Sequence, residues 1–161
     1  MTVASDQPDA AVVDSATIRC DRRLKWFLRL VGVADLLAVV AVFLPTEWIG
    51  WAHEFVGLGA LPQGNIVGYL ARSTSLLYGI HGAMLLVLAN DVVRYRSLIR
   101  WYGRVISAAG AILIGVDIAE AMPVWWTVLE GAAVVGIGVV ILTLCHEGMA
   151  EAAARERERT T

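Results

Sequence analysis

Four ionisable residues stand inside stretches otherwise built mainly from Leu, Val, Ile, Ala and Gly: Asp35, Arg72, Asp117 and Glu130. One guanidinium and three carboxyls in apolar surroundings can pair with one another, bind a polar head group, or carry a proton. An unpaired charge in hydrocarbon costs at least ~2.5–3.5 kcal/mol on insertion scales, so each of the four asks for a partner. With all three carboxyls ionised the set holds two excess negative charges, which water or a proton would have to balance. Polar companions lie close in sequence: Tyr69, Ser75 and Tyr78 around Arg72, Trp126 and Thr127 before Glu130, and Glu120 one turn from Asp117. The candidate ligand-binding set is therefore Asp35, Arg72, Tyr78, Asp117, Trp126 and Glu130. A salt-bridge network that fixes helix register and a proton or ion pathway are competing uses of the same groups.

Other reactive residues carry less. His81 shares a helical face with Thr74 and Tyr78 and is expected to bond a neighbouring helix. A haem or metal role would need partners at its own depth, and His53 and His146 fall elsewhere, so no metal site is expected. Cys20 and Cys145 form neither a disulfide framework nor a CxxC pair and are expected to stay reduced thiols. P-loop, HExxH, GxSxG and CxxCH patterns do not occur, so the residues imply no cofactor and assign no catalytic group.

The elements that position these residues are membrane-length helices. The chain has 161 residues, 58% of them hydrophobic and 17% charged. Spans are expected at about 24–44, closed by Pro45, and at 65–89, 99–121 and 123–145, each near the ~20 residues that cross ~30 Å of hydrocarbon. Length, and the lack of ~10-residue alternating segments, favour helices over a barrel. The fold class is all-α: an integral membrane four-helix bundle. A short amphipathic interfacial helix is expected in the first loop near 47–56, with Trp48, Trp51 and Phe55 opposite Glu47, Gly50 and Glu54. Residues 1–23 read as a disordered cytoplasmic tail, 24–146 as the transmembrane domain and 147–161 as a helical or disordered cytoplasmic tail. Counting ~1.5 Å per residue from the outer ends, Asp117 lies ~6 Å deep, Arg72 and Glu130 ~10 Å, and Asp35 ~13 Å, one charged layer in the outer half.

Orientation comes from charge. Arg19, Arg22, Arg23, Lys25 and Arg29 open the first span, Arg94, Arg96, Arg100 and Arg104 surround the second loop, and Arg155, Arg157 and Arg159 end the chain. The first and third loops hold no Lys or Arg, so both termini are expected to be cytoplasmic. The basic second loop sits where anionic lipid headgroups are, and no nucleic-acid footprint is read from it. Small residues recur every fourth position, as Ala71, Ser75, Gly79 and Ala83, as Gly103, Ser107, Ala111 and Gly115, and as Ala132 and Gly136 with Gly138 nearby. They would let spans approach closely or form a homo-oligomer face.

This plan, with the stretches DVVRYRSLIRWYG and GVDIAEAMPVWWTVLEG, resembles the DoxX-like group of small bacterial membrane proteins over about residues 24–145. The resemblance implies a multi-pass protein of the bacterial inner membrane and an accessory subunit of a quinone-linked oxidoreductase. No functional residue of the group maps onto a position here. Three classes stay open: a binding or accessory protein for a small amphipathic ligand, a quinone or a partner membrane subunit; an enzyme using the carboxyls for acid–base chemistry on a lipid-like substrate; and a proton-coupled small-molecule transporter.

Overall fold

The structure is a computed structural model that describes residues 8–62 and 64–160. All regular elements among them are helical. In chain order these are α1 (Pro8–Leu37), α2 (Val40–Phe43), α3 (Thr46–Phe55), α4 (Asn65–Asn90), α5 (Arg96–Ala119), α6 (Val124–Thr127), a π-helical turn (Val128–Ala132) and α7 (Ala133–Thr160). Four stretches among the described residues are long and apolar enough to cross a membrane: Cys20–Phe43, Asn65–Asn90, Arg96–Ala119 and Val124–Glu147. The first loop contains the expected helix, as α3. The helix expected to start at Leu24 starts at Pro8, so residues 8–23 are helical where a disordered tail was expected, and residues 1–7 lie outside the described residues. Residues 24–146 are spread over two compact units, one formed by Phe27–Asn90 and the other by the residues up to Trp26 with those from Asp91 onward.

Within Phe27–Asn90 the first span is interrupted. Beyond Leu37 the backbone tightens, with Ala38 N donating to Asp35 O (3.1 Å), Val39 N to Leu36 O (3.1 Å) and Ala41 N to Ala38 O (3.0 Å). These are the three-residue steps of a 3₁₀ turn. Pro45, which has no amide proton to give, separates the span from α3. The far end of α3 closes in a Schellman motif: Leu58 N reaches His53 O (3.1 Å) and Gly57 N reaches Glu54 O (2.9 Å), with Gly57 at φ +82°. His53 Nδ1 adds a bond to Gly59 O at 2.8 Å. The α4 helix then meets the first span through glycines. A Cβ at Gly82 would fall on Gly32 O and 2.7 Å from Leu36 N, and one at Gly79 would collide with Val39.

The second unit is built on α5 against the last span. A Cβ at Gly110 would lie 2.6 Å from Val135 N and 2.8 Å from Gly131 O, and one at Gly138 would meet Ser107 Oγ and Gly103 O. The line of contact therefore runs through Gly103, Ser107 and Gly110 on α5 and through Gly131, Val135 and Gly138 opposite. The strict four-residue rows expected from sequence are corrected: Ala111 is exposed, and Gly115 and Gly136 have no neighbour within 4 Å of an added Cβ. At 3.6 residues per turn a strict i+4 row drifts around the helix, whereas alternating steps of four and three stay on one side. α5 ends in a second Schellman motif, with Met122 N on Asp117 O (2.9 Å), Ala121 N on Ile118 O (3.2 Å) and Ala121 at φ +53°. Asp91 caps the turn into α5, its Oδ1 accepting from Arg94 N at 3.0 Å.

Two predictions follow from this packing and from the charge asymmetry. Gly82→Ala should lower detergent thermal stability, an overpacking cost of about 1–3 kcal/mol, while Gly136→Ala should leave it unchanged; equal behaviour of the two would contradict the close approach. For topology, cysteines belong on Ala60 and Ser97, both exposed, because Cys20 is buried and Gly59 holds φ +81°. In intact cells an impermeant thiol reagent should label Ala60→Cys and spare Ser97→Cys, and the reverse pattern would invert the orientation.

Candidate functional site

Each candidate residue is set by the local backbone of its own unit. In Phe27–Asn90, Asp35 occupies the last regular turn of α1, just before the 3₁₀ tightening. Its Oδ2 lies 2.7 Å from His81 Nδ1 on α4, both side chains half-buried. The close seating of Gly82 on Gly32 brings the two helices near enough for this pair. His81 thus bonds a neighbouring helix as expected, and the helix supplies a carboxylate.

Within its own unit Arg72 bonds backbone and hydroxyl oxygens, and not Asp35. Its Nη2 donates to Leu44 O at 2.9 Å and to Thr46 Oγ1 at 3.3 Å, and its Nη1 to Gly68 O at 3.3 Å. The physical reason lies in Pro45. A helix leaves its last carbonyls without amide partners, and the negative end of its dipole favours a cation. Arg72 meets both needs at the end of the first span and ties the start of α3 to α4 with the same guanidinium. Pro45 was the available signal, since a proline that ends a span leaves carbonyls to be satisfied from elsewhere. Tyr78, on α4, is exposed at 41%.

In the second unit Trp126 and Glu130 meet. The indole Nε1 donates to a Glu130 carboxylate oxygen in a short hydrogen bond across one turn, and Trp125 sits edge-on to Trp126 with centroids 5.6 Å apart. Glu130 lies inside the π-helical turn, which separates α6 from α7. Such turns loosen the regular hydrogen-bond ladder and often mark functional positions. Asp117 is 4% exposed, and its fully buried Oδ2 has no hydrogen-bond partner among the described residues. The antiparallel register set at Gly103 and Gly110 carries Asp117, two turns beyond Gly110, to the level of α6 and the start of the π-helical turn. The structure therefore groups the six candidates locally: Asp35, Arg72 and Tyr78 in one unit, Asp117, Trp126 and Glu130 in the other.

A further feature lies beside α3. An open cleft of about 380 Å³ is lined by Thr46, Glu47, Gly50, Trp51, Glu54 and the segment Ala60–Leu61. Trp51 stacks on Phe55 at 5.3 Å, so the aromatic row is partly self-packed. Compared with protein-family profiles, with characterised proteins and with solved structures, the chain matches none.

The Arg72 clasp has a measurable consequence. Arg72→Met leaves the Leu44 carbonyl without its donor and should cost about 1–3 kcal/mol of stability. Thr46→Ala should cost less, and the pair should fall short of additivity because both changes act on one guanidinium. An Arg72→Met protein as stable as the parent, or strict additivity, would rule out the clasp.

Proposed function

We propose that this is a multi-pass membrane protein with cytoplasmic termini, binding a small amphipathic molecule through a hydrogen-bond-donating head group where α5 ends and the last span begins. The observation that carries the reading is Asp117: a buried carboxyl oxygen without a partner in an apolar span, level with the start of the π-helical turn that contains Glu130. Buried polar atoms in folded chains are nearly always bonded, so an orphan acceptor calls for a donor. An alkylammonium or a hydroxyl head supplies one, and Trp126 offers an indole beside it on which the apolar body can rest. The exposed Trp48, Trp51 and Phe55 of α3 suit an interfacial helix at the outer headgroups. A quinol also carries donor hydroxyls, which keeps the accessory role implied by the DoxX-like resemblance compatible with this site.

The test uses octylamine, octanol and octanoate as probes on the purified chain in nanodiscs, followed by tryptophan fluorescence. Octylamine should bind saturably and octanoate should not. Asp117→Asn and Glu130→Gln should each weaken octylamine by about ten-fold or more, the worth of a hydrogen bond to a charged group. Trp126→Phe should remove most of the optical signal. Equal binding of octanoate, or unchanged binding by both carboxyl variants, would sink the proposal.

A second reading, proton-coupled passage of a small molecule, is favoured by one observation, the Asp35–His81 pair inside two adjacent spans. Uptake into proteoliposomes driven by a pH step, lost in His81→Phe, would support it, and pH-independent flux would oppose it.

A further inference from the structure

The cleft beside α3 has walls that are held in place and charges that are left over. Glu47, Gly50, Trp51 and Glu54 all line it. Positions i, i+3, i+4 and i+7 fall on one face of a helix, which corrects the expected opposition of Trp51 to the other three. The far wall is Ala60–Leu61. It is fixed by the Schellman turn at Gly57 and by the bond between His53 Nδ1 and Gly59 O. At the near end Arg72 holds the Thr46 hydroxyl. Phe55 stacks on Trp51 and braces the indole. The resulting space of about 380 Å³ is of the size that takes a small molecule.

The side chains that hold these walls are engaged, whereas Glu47 and Glu54 have no hydrogen-bond or ion-pair partner among the described residues. No Lys or Arg occurs between Arg29 and Arg72. Arg72 reaches the edge of the cleft at Thr46 and directs its donors to Leu44 O, Thr46 Oγ1 and Gly68 O. Two carboxylates against one guanidinium leave the cleft net negative. The two carboxylates stand ~10 Å apart along the helix axis. A small metal ion needs its ligand oxygens ~2.0–2.6 Å away, which this spread does not favour. Among the described residues no three His, Cys, Asp or Glu side chains are grouped to hold a metal. The spread suits a bulky cation resting on the indole between them.

We propose that this cleft binds a quaternary ammonium group of the trimethylammonium type, its charge over Trp51 and between Glu47 and Glu54. Such a cation has no N–H to donate, so it loses nothing by standing too far from either carboxylate for a hydrogen bond. A primary ammonium in the same place would give up its bonds to water without replacing them. The methyl groups find apolar contact on Trp51 and Leu61. A free choline-type solute and the head of a choline lipid both carry this chemistry. Lacking an N–H, the group cannot satisfy Asp117 Oδ2, so this site is independent of the ligand assigned there.

The experiment is a calorimetric titration of the full chain in a maltoside detergent, which carries no ammonium. The probes are choline and dimethylbutanol, its uncharged carbon analogue. Choline should bind saturably, and dimethylbutanol should bind about ten-fold more weakly for want of the charge. Trp51→Leu should weaken choline by about five-fold, the worth of a cation–π contact at an open site. Glu47→Gln and Glu54→Gln should each weaken it by about three-fold, as for exposed opposite charges. A Cβ at Gly50 lies 3.8 Å from Leu61 Cβ, an ordinary contact, so Gly50→Leu should keep the helix, fill the cleft and abolish binding. Glu120→Gln removes an exposed carboxylate of the other unit and should leave binding intact. Added phosphatidylcholine separates the two sources: displacement of choline marks a lipid head, no displacement marks a free solute, and either keeps the trimethylammonium site. The site is overturned if dimethylbutanol binds as tightly, if Gly50→Leu retains binding, or if Glu120→Gln loses as much as Glu47→Gln and Glu54→Gln.

Discussion

Hydrocarbon offers no hydrogen bonds, so any span that departs from a regular α-helix must satisfy its loosened backbone from within the protein. Four charges of the membrane-length stretches, Asp35, Arg72, Asp117 and Glu130, sit at or against such departures. Asp35 precedes the 3₁₀ tightening of the first span, and its carbonyl accepts from Ala38. Arg72 holds the carbonyl stranded by Pro45. The carbonyl of Asp117 closes the left-handed end of α5 by accepting from Met122. Glu130 lies within the π-helical turn. Charge and interruption coincide four times, which ties the polar chemistry of the spans to the irregularity of their backbones.

The interruptions are tolerated because the regular parts approach closely. In a bilayer, apolar burial between helices contributes little, and contact between backbones contributes more. Gly82 on Gly32 and Gly110 on Gly131 allow that contact. They also determine which side chains meet. The His81 ring reaches Asp35 because the adjacent residue, Gly82, has no side chain to hold α4 away. The glycine contacts and the polar pairs are thus parts of one arrangement, in which small residues set the distance and ionisable residues use it.

The spans and the α3 helix were legible from length, hydropathy and the placement of Trp48, Trp51 and Phe55, because these signals act over many residues at once. Tail structure was less so: residues 8–23 carry Asp9, Asp14 and Asp21 after a proline yet continue the helix of the first span, since a helix already nucleated extends at little further cost. The partners of Arg72 were missed because backbone carbonyls have no letter in a sequence. Charge matching alone pointed to a carboxyl, whereas the orphan acceptor beside Pro45 lies within reach in the same unit. The packing rows were misplaced by about one residue for a geometric reason, the drift of an i+4 row around the helix. Local pairs such as Trp126 with Glu130 needed only helical periodicity to be anticipated.

The π-helical turn has a consequence for how this chain can vary. Such a turn is equivalent to one residue inserted into an otherwise regular α-helix. Deleting a residue there would rejoin α6 to α7 as a single straight rod and rotate everything before the deletion by about 100° relative to everything after it. Val135 and Gly138 would stay against α5 while Trp126 swung to a different face. The length of this one segment, rather than the identity of any side chain, therefore keeps the glycine face and the tryptophan face of the last span in phase. Related chains that keep both faces should tolerate substitutions around Glu130 far more readily than insertions or deletions.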